Sequence, residues 1–377
     1  MGSTWGNHIK ISIFGESHGN GIGVVIDGFP AGHPCNMEFI RSELARRAPG
    51  QSSLTTGRRE GDQPEILSGM LADSASGELT TTGAPICIVI RNTDTRSGDY
   101  ESLRTIPRPS HSDYTGQLRY QGFNDIRGGG HFSGRLTAPM VFAGALCKDY
   151  LRRNYHIEIG SHIYQIGDVK DHAFDYTSVS KTVLTQLQQA AFPVLDPESE
   201  PKMKETVDLA RRDLDSVGGV IECAVSGVSA GLGSPMFSNV ESRIASILYG
   251  VPAVKGVEFG LGFEMAEKRG SEINDCYVKN NDNIETRTNY NGGISGGITT
   301  GMPIIVRAAI KPTPSISREQ ATLNLKTGEE ELLKIHGRHD PCIAMRAPVV
   351  IESAVALALL DLYLEARGYA TEQFQQF

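Results

Sequence analysis

The chain has 377 residues, 39% hydrophobic and 21% charged, which excludes an extended disordered protein and leaves enough sequence for a large core or two equivalent halves sharing one. A net charge of −8 argues against general binding to nucleic acid or anionic membranes, so anionic partners would need a local basic pocket. Six cysteines, at 35, 87, 147, 223, 276 and 342, form no Cys-x-x-Cys pair, pointing to reduced thiols in a cytoplasmic protein and to no metal site.

Lys10 to Phe14 alternates as a strand and runs into Gly15-Glu16-Ser17-His18-Gly19. That loop reads either as a serine-hydrolase elbow with Ser17 as nucleophile or as a glycine frame presenting His18. Against the elbow, Gly21 to Asp27 is glycine-rich and β-branched, predicting a second strand where an elbow needs a helix. Met37 to Ala48 is a helix stopped by Pro49-Gly50, with Arg46 and Arg47 in its last turn. Pro85 to Arg91 is a strand and Arg135 to Arg153 a long buried helix. Further helices are expected around 179–191, 203–216 and 240–249, strands at 219–228, 254–260 and 303–310, and a surface connection over 192–204. Ala347 to Leu364 is the most apolar run, yet Glu352 and Asp361 interrupt it, so a buried helix is expected over 349–366 rather than a membrane span. Gly128-Gly129-Gly130 leads into the first long helix much as His339-Asp340-Pro341 leads into the last. This echo predicts one domain over 1–377 with pseudo-repeated halves, an α+β fold whose sheets enclose helices.

Four further segments carry chemical potential. Arg108-Pro109-Ser110-His111-Ser112-Asp113 sets a proline between a guanidinium and an imidazole, although a turn capped by Ser112 or Asp113 explains it equally. Arg127 to Arg135 strips side chains from a triple-glycine loop, letting an anion or ring approach the backbone. Asn291 to Gly297, followed by Lys311-Pro312-Thr313-Pro314-Ser315, offers a lysine and hydroxyls for phosphate without a P-loop ending. Gly337 to Cys342, with Arg346 after it, contains Arg338 and Asp340, which as surface groups would merely pair.

Taken in order, Ser3-x-x-Gly6, the Gly15 to Gly19 loop, Arg46 to Gly50, Arg58-Arg59-Glu60-Gly61-Asp62, Arg108 to Asp113, the triple-glycine loop, Lys311 to Ser315 and Gly337 to Cys342 resemble the chorismate synthase family over nearly the whole chain. The resemblance implies a β-α-β sandwich with central helices between antiparallel sheets, usually assembled as a homotetramer. It also implies conversion of 5-enolpyruvylshikimate 3-phosphate to chorismate by anti 1,4-elimination of phosphate, the last step of the shikimate pathway, with reduced FMN and no net redox change. By motif match, Arg47, Arg108, Arg135 and Arg338 would bind the substrate, which carries a phosphate and two carboxylates. His18 would donate a proton toward the departing phosphate, His111 toward the reduced flavin, and Asp340 would assist proton removal from the ring. Flavin contacts would fall to His131, Phe132, Ser133, Ala253, Gly296, Lys311, Thr313, Ser315 and Arg338. The chain lacks large inserts, which favours an external flavin reductant over intrinsic NADPH-dependent reduction. Ser52-Ser53-Leu54 replaces a basic residue of the family's substrate-facing loop, and His131-Phe132 stands where small or basic residues are usual. A flavin- or phosphate-binding protein without elimination activity is the competing class; it would need the glycine loops and Lys311, but not both histidines and Asp340.

Overall fold

The computed structural model describes residues 2–50, 61–93, 98–281, 283–335 and 339–369. Two five-stranded antiparallel sheets enclose a layer of helices. The first sheet contains β1 (Thr4–Trp5), β2 (Lys10–Gly15), β3 (Gly21–Asp27), β4 (Pro64–Ser68) and β5 (Ile86–Arg91), in the order β1-β2-β3-β5-β4. The second contains β6 (Glu158–Ile166), β7 (Val169–Lys170), β8 (Gly219–Ser226), β9 (Val254–Phe259) and β10 (Ile304–Ile310), in the order β9-β10-β8-β6-β7. The remaining strands form short two-stranded hairpins.

The two sheets share one plan. In each, a first and a second strand pair as neighbours, a helix follows, and the fourth strand inserts between the second and the third: β2-β3-β5-β4 in one sheet and β6-β8-β10-β9 in the other. The intervening helix is α1 (Met37–Arg47) in the first half and α6 (Val240–Leu248) in the second, each with an asparagine at its N-cap, Asn36 or Asn239, accepting from the third residue on. After the fourth strand each half adds a long helix, α3 (Thr137–Tyr155) and α7 (Pro348–Tyr369). α2 (Asp113–Arg119), α4 (Lys181–Gln189) and α5 (Ser199–Arg212) lie outside this repeat. α5 starts at Ser199, so the predicted surface connection over 192–204 is half helix; Pro201 sits in its first turn, where proline is tolerated.

α3 and α7 pack on each other in the middle layer, with α1 against α3 and α6 against α7. At their closest approach a Cβ on Gly144 would lie 2.2 Å from the Ser353 Cβ, so the helix spacing requires glycine there. Apolar side chains from both sheets and both helices, among them Ile22, Val24, Phe142, Leu146, Ile221, Val306, Leu357 and Tyr363, form one continuous core.

The two acids that interrupt the apolar run of α7 are fully buried sockets. Glu352 accepts from Arg46 of α1 through both terminal nitrogens at 2.8 Å, from Lys148 of α3 at 2.6 Å and from the Ser161 hydroxyl of β6 at 2.8 Å. Burial works against this carboxylate, but Arg46 and Lys148 outweigh it and hold its pKa well below the usual range. Asp361 accepts from the backbone N–H groups of Asn7, His8 and Ile9 and from Arg243 of α6 at 2.7 Å. Arg46 and Arg243 thus hold α7 from equivalent helices of the two halves. No helix among the described residues is long and apolar enough to cross a membrane.

Candidate active site

A cavity of about 930 Å³ opens where the first turns of α3 and α7 meet the N-terminal strand and the segments after α6 and β10. Among the described residues, six cationic side chains line it, Arg47, Arg108, Arg135, Lys255, Lys311 and Arg346, against one carboxylate, Asp340. Asp62 and Asp113 pair with lining arginines, yet the balance stays positive in a chain of net charge −8. The first turns of two long helices add their own positive potential. The wall therefore suits a polyanion.

The glycine loop shapes one side. Gly128, Gly129 and Gly130 have φ of 60°, 84° and 54°, three successive positive values that side chains rarely adopt. A Cβ on Gly130 would lie 1.9 Å from the Asp125 carbonyl oxygen, and one on Gly128 would lie 2.4 Å from His18 Cδ2. His131 ties the loop down: Nδ1 donates to the Gly15 carbonyl at 2.8 Å, leaving Nε2 to accept from the Ser3 hydroxyl at 2.7 Å. Both of its ring nitrogens are thereby engaged. Phe132 packs near Tyr120, and Ser133 accepts from the Arg135 N–H.

On the clamp side, Arg47 ends α1 and donates through Nε to Asp62 at 2.7 Å, while Arg135 donates to the other Asp62 oxygen and to Asn92. Burial pulls the Arg47 guanidinium down to about 10 despite Asp62, with Arg346 and Arg135 adding repulsion; it stays charged at neutral pH. Arg346 ion-pairs with Asp340, and the Asp340 carbonyl accepts from Thr313.

Opposite, Lys311 donates to the Ser110 carbonyl at 2.5 Å, and its backbone N–H donates to Ala253. Ser110 (φ 58°) and Ala253 (φ 74°) are both non-glycine residues in the left-handed region, each costing on the order of 1 kcal/mol, and both are held by Lys311. Arg108 is bidentate on Asp113 at 2.7 Å and donates to Ser315 at 2.9 Å. Burial lowers the His111 pKa, Asp113 opposes this, and Arg108 and Lys311 lower it further. His339 is pushed down to about 4 by burial and by Arg108, so it is neutral near pH 7. Among the described residues its Nε2 has no hydrogen-bond partner.

The cavity thus gathers His111, Asp340, Arg47, Arg108, Arg135, His131, Phe132, Ser133, Ala253, Lys311, Thr313 and Ser315 of the expected set. His18 is not in its lining. It is 9% exposed, lies behind Gly128 and meets Tyr100 edge-on at 5.3 Å, and Tyr100 itself lines the cavity. Gly296 turns a hairpin between Ile294–Ser295 and Ile298–Thr299, away from this cavity, and a Cβ there would meet nothing within 4 Å. Arg338 and Ser52-Ser53-Leu54 lie outside the described residues. The hydrolase elbow is absent: β2 passes through the loop to its antiparallel neighbour β3, and Ser17 is fully buried.

Sequence reasoning missed Asp62 and Arg346 as partners of the clamp and of Asp340, and saw Asp113 only as a cap. Asp62 stood inside a motif already singled out, and an unpaired acid among arginines was the available signal. His339 lay in a segment singled out for Arg338 and Asp340 and was given no role of its own, and Tyr100 gave no signal.

Alanine at Gly128 should drive a Cβ into His18 and cut turnover by up to ~10²-fold without unfolding the chain, since ångström misplacements in a site have that effect. Steady-state kinetics beside a melting curve checks this. Unchanged turnover would show that the His18 contact has no functional weight.

Two antiparallel sheets around a helical layer, with a cationic cavity at the helix ends, make an α+β sandwich whose site suits an anionic ligand. The sequence model of the chorismate synthase family matches residues 9–364. The chain is 46% identical over 360 residues to chorismate synthase from Methanocella arvoryzae, covering 96% of this chain and 94% of that protein. It is 45% identical over 363 residues to the enzyme from Pyrococcus abyssi, covering 96% and 98%. A crystal structure of chorismate synthase superposes with a TM-score of 0.74 at 29% identity, over 97% of this chain and 94% of that one. The chain belongs to the chorismate synthase family.

Proposed function

We propose that the chain is a carbon–oxygen lyase that eliminates phosphate from 5-enolpyruvylshikimate 3-phosphate in the anti 1,4 sense, giving chorismate. The observation that carries this reading is the excess of cationic groups around one cavity that also holds His111 and Asp340. Arg47 and Arg135, braced from behind by Asp62, grip substrate anions. Each close charge pair contributes about 4 kcal/mol at an effective dielectric of ~20, before desolvation.

The residues fit a flavin. About 930 Å³ is at the upper end of the ~300–1,000 Å³ usual for ligand sites, leaving room for a cofactor beside the substrate. The glycine loop allows close backbone approach, Lys311, Thr313 and Ser315 suit its phosphate, and neutral His339 offers an unused ring nitrogen. Held there, reduced FMN would supply electron density for breaking the carbon–oxygen bond without net redox change. Asp340, oriented by Arg346, receives that proton at a carboxylate oxygen. His111 presents Nε2 as the atom that takes up a proton and delivers it on the flavin side. His18 serves the departing phosphate once Tyr100 moves aside, because its ring lies behind the cavity wall. Gly296 is left out of the flavin set of a single chain. A homotetramer, a cytoplasmic location and an external reductant complete the proposal, on the strength of family resemblance.

Anaerobic incubation with 5-enolpyruvylshikimate 3-phosphate and reduced FMN should release phosphate and chorismate in equal amounts. No release from folded, flavin-loaded protein rejects the reading in favour of a binding protein.

A further inference from the structure

We propose that Asp113 is a positioning residue, holding His111 in the Nδ1–H tautomer and keeping Nε2 available as the working atom. The inference rests on the reading of His111 as a proton carrier. His111 Nδ1 lies 2.7 Å from Asp113 Oδ1 and 3.1 Å from an Arg108 terminal nitrogen. A ring nitrogen bearing a proton suits only the first contact, and one bearing a lone pair suits only the second. The shorter contact decides. An ionised carboxylate has no proton to give, so a bare Nδ1 at 2.7 Å would set two acceptors against each other, whereas Arg108 already has Asp113 and Ser315 as acceptors.

Asp113 is itself fixed at the start of α2. Its Oδ2 accepts from the Arg108 backbone N–H at 3.0 Å and from Arg108 Nε at 2.7 Å, and its side chain is 3% exposed. Burial works against the carboxylate, but hydrogen bonds from Arg108 and His111 hold its pKa well below the usual range. With Nδ1 committed, Nε2 faces the glycine loop, 3.4 Å from where a Cβ on Gly129 would sit. Among the described residues, the other charged or titratable groups around the ring are Arg108 on its own segment, Lys311 after β10 and His339 before α7. Among these and Asp113, Asp113 is the anion. Arg108, expected to clamp substrate, gives three of its donors to this scaffold, so it braces the proton carrier from the cavity wall.

The test compares wild type, Asp113→Asn and Asp113→Glu as full-length protein with reduced FMN. The Arg108 backbone N–H and Nε hold an asparagine's carbonyl oxygen at the Oδ2 position, so its amide NH2 turns to Nδ1 and favours the opposite tautomer. In Asp113→Asn, kcat should fall by ~10²-fold or more while KM stays within about threefold. Loss of the carboxylate lowers the His111 pKa, so the high-pH limb of the kcat profile should move to lower pH, and Asp113→Glu should restore most of the rate. An unmoved profile with kcat within about threefold of wild type overturns the proposal. Absence of phosphate release from wild type would instead overturn the elimination reading. Nitrogen-15 NMR of histidine-labelled wild type, with His111 assigned by its loss in His111→Gln, tests the tautomer independently of turnover and of whether Asp113→Asn folds. A protonated Nδ1 with bare Nε2 in the unliganded protein supports the assignment, and a protonated Nε2 with bare Nδ1 overturns it.

Discussion

Alanine at His111 should lower turnover by ~10²–10⁴-fold, the usual contribution of a positioned acid or base, while substrate affinity changes little. The expectation follows from how the ring is held. Nδ1 lies 2.7 Å from Asp113, the ring lines the cavity, and Arg47 and Arg135, the proposed anion grips, are borne on other segments. Deleting the imidazole therefore removes a proton carrier and leaves Arg47 and Arg135 on Asp62. Anaerobic kcat measured beside a calorimetric affinity for 5-enolpyruvylshikimate 3-phosphate separates the two effects. Near-normal kcat would remove His111 from proton transfer, and a loss confined to affinity would make it a binding group.

The second large effect is structural. Glu352→Ala should destabilise the chain by about 3–5 kcal/mol, the range for breaking a buried ion pair from one side. Such a loss is a large share of the 5–15 kcal/mol typical of a folded protein. Glu352 is 0% exposed and gathers Arg46, Lys148 and Ser161 from three elements at the centre of the helical layer. Without it, Arg46 and Lys148 retain Glu43 as their shared carboxylate. Denaturant unfolding read from Trp5, the single tryptophan, gives the midpoint shift. A variant within ~0.5 kcal/mol of wild type, the scale of an ordinary surface substitution, would show that the network adds no net stability.

Residues whose periodicity matches a half-buried element were readable from sequence. β2 alternates, β3 and β5 are rich in β-branched residues, and α3 and α7 are long and apolar, so their positions agree with expectation to within a few residues. β6, beside the central strand of the second sheet, was not foreseen, because Ser161 and His162 are buried there beside Ile159 and Ile163. Those polar residues are satisfied by Glu352, Asp171 and Glu222, up to 191 positions away, and a sequence window does not contain such partners. The two sheets share one strand plan, which the sequence echo between the glycine and His339 loops does not itself specify.

At the site, motifs supplied the residue types while the fold decided their depth. His18 and Gly128 belong to different motifs, and their contact puts the imidazole behind the wall. Asp62 carried no role in the sequence and Asp113 read as a turn cap, whereas the fold sets each against a buried arginine. Gly296 shares its glycine-rich spacing with real loop sites, but it turns an open hairpin tip.

Counting phosphate against flavin under anaerobic conditions tests the central claim most directly. With a fixed small amount of reduced FMN, the protein should release many phosphate ions per flavin, form chorismate in step, and leave the flavin reduced at the end. One phosphate per flavin oxidised, or none at all, would contradict the account.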